Sequence, residues 1–127
     1  MTHHSRLAAV VVDVPPNLHD QELAFWGEAL GRAFEPSEGH PEFRIAKLGS
    51  GDFEILVQEL GAGEPRVHLD FITDDLDAEV ARLERLGATR VRSIDGLWIL
   101  RDPAGLVFCV VAAPGEKFGE GDSARWD

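Results

Sequence analysis

Residues Arg66 to Gly87 read RVHLDFITDDLDAEVARLERLG, and their periodicity changes once. The first part, RVHLDFIT, is a β-rich alternating run that predicts a strand from Arg66 to Thr73. Asp74 and Asp75 then offer a helix cap, and their negative charge suits a first turn. Leu76, Val80, Leu83 and Leu86 fall at helical spacing, and Gly87 ends the helix. Beyond it, Arg90 to Ser93 and Leu97 to Arg101 read as strands. Asp102-Pro103-Ala104-Gly105 is a turn, and Leu106 to Ala112 is a last apolar strand.

The same programme stands earlier in the chain. RLAAVVVDV (Arg6 to Val14) predicts a buried strand, broken by Pro15-Pro16. Leu23, Trp26 and Leu30 mark a helix from about Asp20 to Leu30, closed by Gly31. A short edge strand is expected around Ala33 to Glu35. Phe43 to Leu48 and Phe53 to Leu60 follow as strands, joined at Gly49-Ser50-Gly51-Asp52 by hairpin chemistry. Leu30-Gly31 and Leu86-Gly87 stand 56 residues apart, whereas the opening strands pair best at 59; the difference falls at Pro15-Pro16-Asn17. The chain is therefore expected to hold two βαβββ modules, about 6–60 and about 66–112, followed by a loose tail over 114–127. Each helix would cover one face of its own sheet. The other faces would then curve around a shared cleft.

Composition narrows the classes of function. Twelve Lys and Arg against 23 Asp and Glu give the 127 residues a net charge of −11, which excludes a nucleic-acid surface and docking on an anionic membrane. The single cysteine, Cys109, excludes an intrachain disulfide and a multi-cysteine zinc site, so a cytoplasmic location is expected. The sequence shows no membrane-length apolar run and no secretory pattern. His3 and His4 are expected to be solvated at a frayed end, and Glu22, Glu28, Asp77, Glu79 and Glu84 to solvate helix surfaces, with Glu79 and Arg82 a small surface pair.

With the duplication established, the chain resembles the vicinal oxygen chelate superfamily, in its glyoxalase-like and bleomycin-resistance-like branch. RLAAVVVDV, ELAFWGEALG, HLDFITDDLDAEVARLERLGA and WILRDPAGLVFCVV carry the resemblance by their order, spacing and duplication. It implies an α+β fold of two tandem βαβββ modules forming a curved mixed sheet around a central cleft, the glyoxalase / bleomycin resistance / dihydroxybiphenyl dioxygenase fold, over residues 1–113. Metal-dependent members take ligands from the first and last strands of each module. Those positions fall here on Ala9, Gln58, His68 and Cys109. Ala9 can ligate nothing, and Cys109 stands where a carboxylate usually comes. The resemblance therefore implies an incomplete metal site, and no cofactor is expected. Zinc on His68 and Cys109 with waters is the remaining alternative.

Strand alternation puts His68 with Asp70 on one face, and Val107 with Cys109 and Val111 on another cleft face. Glu54 goes with Leu56 and Gln58, and Ala9 with Val11 and Asp13. Val67, Leu69 and Phe71 are expected beneath the helix. His68 is the best candidate for moving a proton or orienting a ligand, against a pocket-wall histidine bonded to a carbonyl or to Asp70. Cys109 is read as an inert thiol or as a nucleophile beside His68. Trp98 is a stacking residue or a core aromatic, and Phe25 and Trp26 are core or dimer-contact residues. Arg44 binds an anion if it faces inward. The ligand-binding set is thus His68, Cys109, Trp98, Gln58, Asp70, Leu56 and Arg44. The expected function is binding of a small apolar or aromatic molecule, for sequestration or resistance, by a homodimer. The alternative is a lyase, isomerase or oxygenase using His68, with or without a divalent metal.

Overall fold

The change of periodicity at Thr73 is where strand gives way to helix in the computed structural model, which describes residues 2–37, 40–48, 53–61, 63–119, 121 and 123–127. The chain divides into two compact units, Ala9–His68 and Met1–Ala8 with Leu69–Asp127. Both show the expected order of one strand, one helix and three strands. The expected hairpin turn at 49–52 lies outside the described residues.

In the unit 9–68, β1 (His3–Val14, of which residues 9–14 lie here) leads through a 3-10 turn at Pro16–Leu18 into α1 (His19–Leu30). Pro15 and Pro16 lack the N–H that would carry the strand ladder onward, so the chain turns there. Gly31 ends α1 in the left-handed region, with φ at 66° and its N–H turned back on the helix carbonyls. β2 (Glu35–Ser37), β3 (His40–Lys47) and β4 (Glu54–Glu59) follow, β2 two residues later than the sequence suggests. β4 runs parallel to β1 from Ala9 opposite Glu54 to Val14 opposite Glu59. β3 is antiparallel to β4 and β2 to β3, so the strand order is β2-β3-β4-β1. A register shift interrupts β2 between Pro36 and Ser37.

The other unit repeats this arrangement. β5 (Arg66–Thr73) leads to α2 (Leu76–Arg85), β6 (Thr89–Ile94), β7 (Leu97–Arg101) and β8 (Val107–Ala112). β8 is parallel to β5 from Leu69 opposite Phe108 to Thr73 opposite Ala112, and the order is β5-β8-β7-β6. Asp75 caps α2 by accepting the Ala78 N–H, as its sequence position suggests. Val80 of α2 packs on Leu100 and Val110, with Trp98 and Phe108 beside them. Phe71 meets Phe108 edge-on, but Leu69, expected beneath the helix, is 40% exposed. Val67, expected in the same row, is 62% exposed.

The ends of the chain depart furthest from expectation. β1 starts at His3 rather than Arg6, and the tail forms β9 (Ala124–Trp126), antiparallel to residues His3–Ser5. No helix is long and apolar enough to cross a membrane.

Candidate active site

The apolar face of unit 9–68 is set by strand register. Ala9, Val11 and Asp13 of β1 lie opposite Glu54, Leu56 and Gln58 of β4, which in turn lie opposite Lys47, Ile45 and Phe43 of β3. Ala9, Val11 and Leu56 are buried together, with Phe43 and Ile45 packed on them. The row therefore runs from an apolar floor to a polar end at Asp13 and Gln58. A recess of about 370 Å³ borders the other end, with Ile45, Lys47 and Glu54 in its lining.

At the polar end His68, the second residue after Arg66 in β5, meets Asp13. Its Nδ1 lies 2.5 Å from Asp13 Oδ2. Asp13 is only 1% exposed, so the two groups share a short contact largely removed from water. With Asp13 ionised, Nδ1–H donates to the carboxylate, and the imidazole lone pair resides on Nε2. Arg66 Nε stands 3.8 Å from the same Asp13 oxygen. The other oxygen, Oδ1, is buried and has no hydrogen-bond partner among the described residues.

Gln58 and Leu56 are thus on the same face as Asp13. Arg44 is not: it lies opposite Val57, one step out of phase with Leu56 and Gln58, and its Nη1 donates to the carbonyls of Pro41 and Phe43. Its guanidinium folds along its own strand instead of facing inward. In the other unit, Asp70 lies opposite Cys109, and Cys109 opposite Ile99. Trp98 falls on the alternate face, opposite Val110, where it is a core aromatic covered by the Arg90 guanidinium 4.7 Å away. Phe25 of α1 is exposed, and Trp26 beside it donates to Glu22.

A family model described as the glyoxalase-like domain matches residues 9–111, across both βαβββ repeats. The chain belongs to the glyoxalase-like domain family. No curated protein matches it in sequence. Among solved structures, this glyoxalase-like chain is similar to a hypothetical protein from Bacillus halodurans C-125, at 14% identity and a TM-score of 0.64, over 91% of this chain and 99% of that one. It is also similar to a variant of 4-hydroxymandelate synthase from Streptomyces coelicolor, at 16% identity and a TM-score of 0.61, over 91% of this chain and 51% of that one. A third is a variant of methylmalonyl-CoA epimerase from Streptomyces coelicolor in complex with 2-nitronate-propionyl-CoA. It shows 17% identity and a TM-score of 0.60, over 90% of this chain and 98% of that one. At these identities the likeness establishes the fold of the vicinal oxygen chelate superfamily, as the sequence resemblance implies.

Ala9 is an apolar core residue, as its side chain requires. His68 of the unit 9–68, and Asp70 and Cys109 of the other unit, carry donor types that a metal ion takes.

Sequence reasoning passed over two features. Asp13 was placed on the right face but given no role; its signal is a lone acid ending a run of valines, where a carboxylate is desolvated. The second is a buried cluster in the unit holding both chain ends. His3 is 6% exposed and Glu79 is 0% exposed, so neither is the solvated surface group expected. His3 Nε2 lies 2.9 Å from Glu79 Oε1, and Arg82 clasps both Glu79 oxygens at 2.7 and 2.8 Å. The Arg82 guanidinium sits 3.8 Å over the Trp126 ring, whose N–H donates to Ser5 Oγ. Burial pushes the Glu79 carboxyl up, but hydrogen bonds from Arg82, His3 and Ser5 outweigh it and hold the group below the usual carboxylate range.

Proposed function

We propose that this glyoxalase-like domain is a small-molecule enzyme that moves a proton with His68, held in position by Asp13. The observation that carries the reading is the Asp13–His68 contact. A buried carboxylate on Nδ1 fixes one tautomer, directs the basic lone pair to Nε2 and stabilises the imidazolium formed when that atom takes a proton. The adjoining floor of Val11, Leu56, Ile45 and Phe43 suits an apolar or aromatic substrate body. A proton removed next to a carbonyl and returned to the same carbon or a neighbouring one gives an isomerase; a proton removed there while the neighbouring carbon expels a leaving group gives a lyase.

Hydrogen–deuterium exchange tests the reading. In D2O, a panel of aryl ketones, 2-oxo acids and acyl thioesters is followed by proton NMR for loss of the α-hydrogen. At least one member is expected to exchange, with the rate falling about 100-fold in His68→Ala and about tenfold or more in Asp13→Asn. Failure of every member to exchange, or exchange that survives His68→Ala, overturns the proposal.

A second reading, binding without turnover, is favoured by Ala9, an apolar side chain at one of the positions where the family resemblance implies a ligand. Saturable binding of a panel member without exchange would establish it. Metal content separates a further variant of the enzyme reading. Stoichiometric zinc, nickel, iron or manganese, lost in His68→Ala, assigns His68 to a metal instead of to a proton. The reading is completed by pairing of two copies in the cytoplasm, for which a native mass twice 13.9 kDa is the check.

A further inference from the structure

Arg66 and His68 stand two residues apart on β5, so their side chains leave the same side of the strand, their Cα atoms about 7 Å apart. Both approach one oxygen of Asp13, but unequally. His68 takes it at 2.5 Å, whereas Arg66 Nε remains at 3.8 Å, beyond hydrogen-bond length. The Arg66 side chain is 57% exposed, while that of Asp13 is 2% exposed. The long ion pair therefore steers the guanidinium towards the dyad without consuming its planar donor fork. Among the described residues, no hydrogen bond occupies that fork.

The local backbone makes room for this arrangement. Gly63, at φ 106°, adopts a conformation that other residues rarely take, and a Cβ there would come 3.1 Å from Arg66 Nη1. The turn before β5 thus leaves space where the guanidinium lies. In a chain with a net charge of −11, this cation sits beside the proposed acid–base pair with more than half of its side chain exposed.

We propose that Arg66 is a specificity residue and that the substrate carries a carboxylate, held by its guanidinium, on the carbonyl that activates the reacting carbon. The class is a small carboxylic acid with an apolar or aromatic body. A planar carboxylate matches the guanidinium fork with two parallel hydrogen bonds, and a neutral amide cannot. The placement of the reacting carbon rests on the proton-transfer reading of His68; the role of Arg66 is read from binding alone.

Phenylpyruvate and its primary amide are titrated by calorimetry into the intact protein. The carboxylate is expected to bind at least about tenfold tighter than the amide, with the preference shrinking as salt is raised. Arg66→Gln should bring the two affinities together, Arg66→Lys should keep part of the preference, and His68→Ala should keep it while losing proton exchange. Phenyl phosphate, in a parallel titration, is expected to bind more weakly than phenylpyruvate. Equal affinities in the wild type, a preference that survives Arg66→Gln, tighter binding of phenyl phosphate, or no binding of phenylpyruvate each overturn the inference. An Arg66-dependent preference without α-hydrogen exchange supports it while removing the proton-transfer reading.

Discussion

Glu79 and Asp13 are both buried carboxylates that meet a histidine, one in each unit, and their surroundings differ in how completely they are satisfied. Glu79 has both oxygens engaged, by His3 and by the two-pronged Arg82, and Trp126 covers the guanidinium. Asp13 has one oxygen on His68 and the other without a partner among the described residues, and its nearby arginine stays at 3.8 Å with an exposed side chain. A saturated buried cluster has nothing left to offer a ligand and holds structure together. An undersatisfied one keeps its capacity for chemistry, at a cost in stability. The same residue types, Asp or Glu with His and Arg, thus serve two purposes, and the count of satisfied atoms separates them.

The contrast is broken most directly by neutralising each acid. Glu79→Gln leaves Arg82 and His3 facing a neutral side chain and is expected to cost about 3–5 kcal/mol in urea unfolding at neutral pH. Asp13→Asn should cost no more than about 1 kcal/mol while depressing proton exchange. Comparable losses of stability in the two variants would erase the distinction.

Acid sharpens it next. Because the folded-state Glu79 carboxyl lies below its ordinary range, its contribution is complete above the unfolded value. It is lost as pH falls through the folded one. Asp74 acts in the same direction: partial burial raises it, but the His4 N–H and ring hold it lower overall. Stability should therefore fall on acidification below about pH 4, and the fall should be shallower in Glu79→Gln. Equal slopes in the wild type and Glu79→Gln would place the acid sensitivity elsewhere.

The smallest effect is at the rim of the saturated cluster. Trp126→Phe keeps a ring beneath Arg82 but removes the N–H donated to Ser5, for an expected loss of about 1 kcal/mol by thermal or urea unfolding. A loss near that of Glu79→Gln would mean that β9, not the buried ions, holds the cluster.

The order of elements was legible because each module changes hydrophobic period at a capped or proline-marked boundary. The Asp75 cap and the helix-ending Gly31 are local signals that the structure retains. His68 was legible by its place on a strand face. Its partner was not, because Asp13 is 55 residues away in the sequence and no local pattern links the two. Glu79 reads as a polar helix position, and α2 indeed needs polar residues on its outer side. What buries it is β1, extended by three residues beyond its apolar run, with β9 paired to those residues. Long-range pairing of polar termini leaves no periodic trace, so His3, Ser5 and Trp126 carried no sign of their cluster.

β2 and β6 each stand at one end of a strand order. Each would present a row of ladder groups on which a foreign strand could add itself. β2 contains Pro36 and a register shift at Pro36/Ser37, and the fully exposed β6 carries Arg90 and Arg92 with a register shift between them. A missing N–H, repelling cations and kinked ladders are poor templates for strand addition. The sequence thus guards β2 and β6 against polymerising through their open hydrogen bonds.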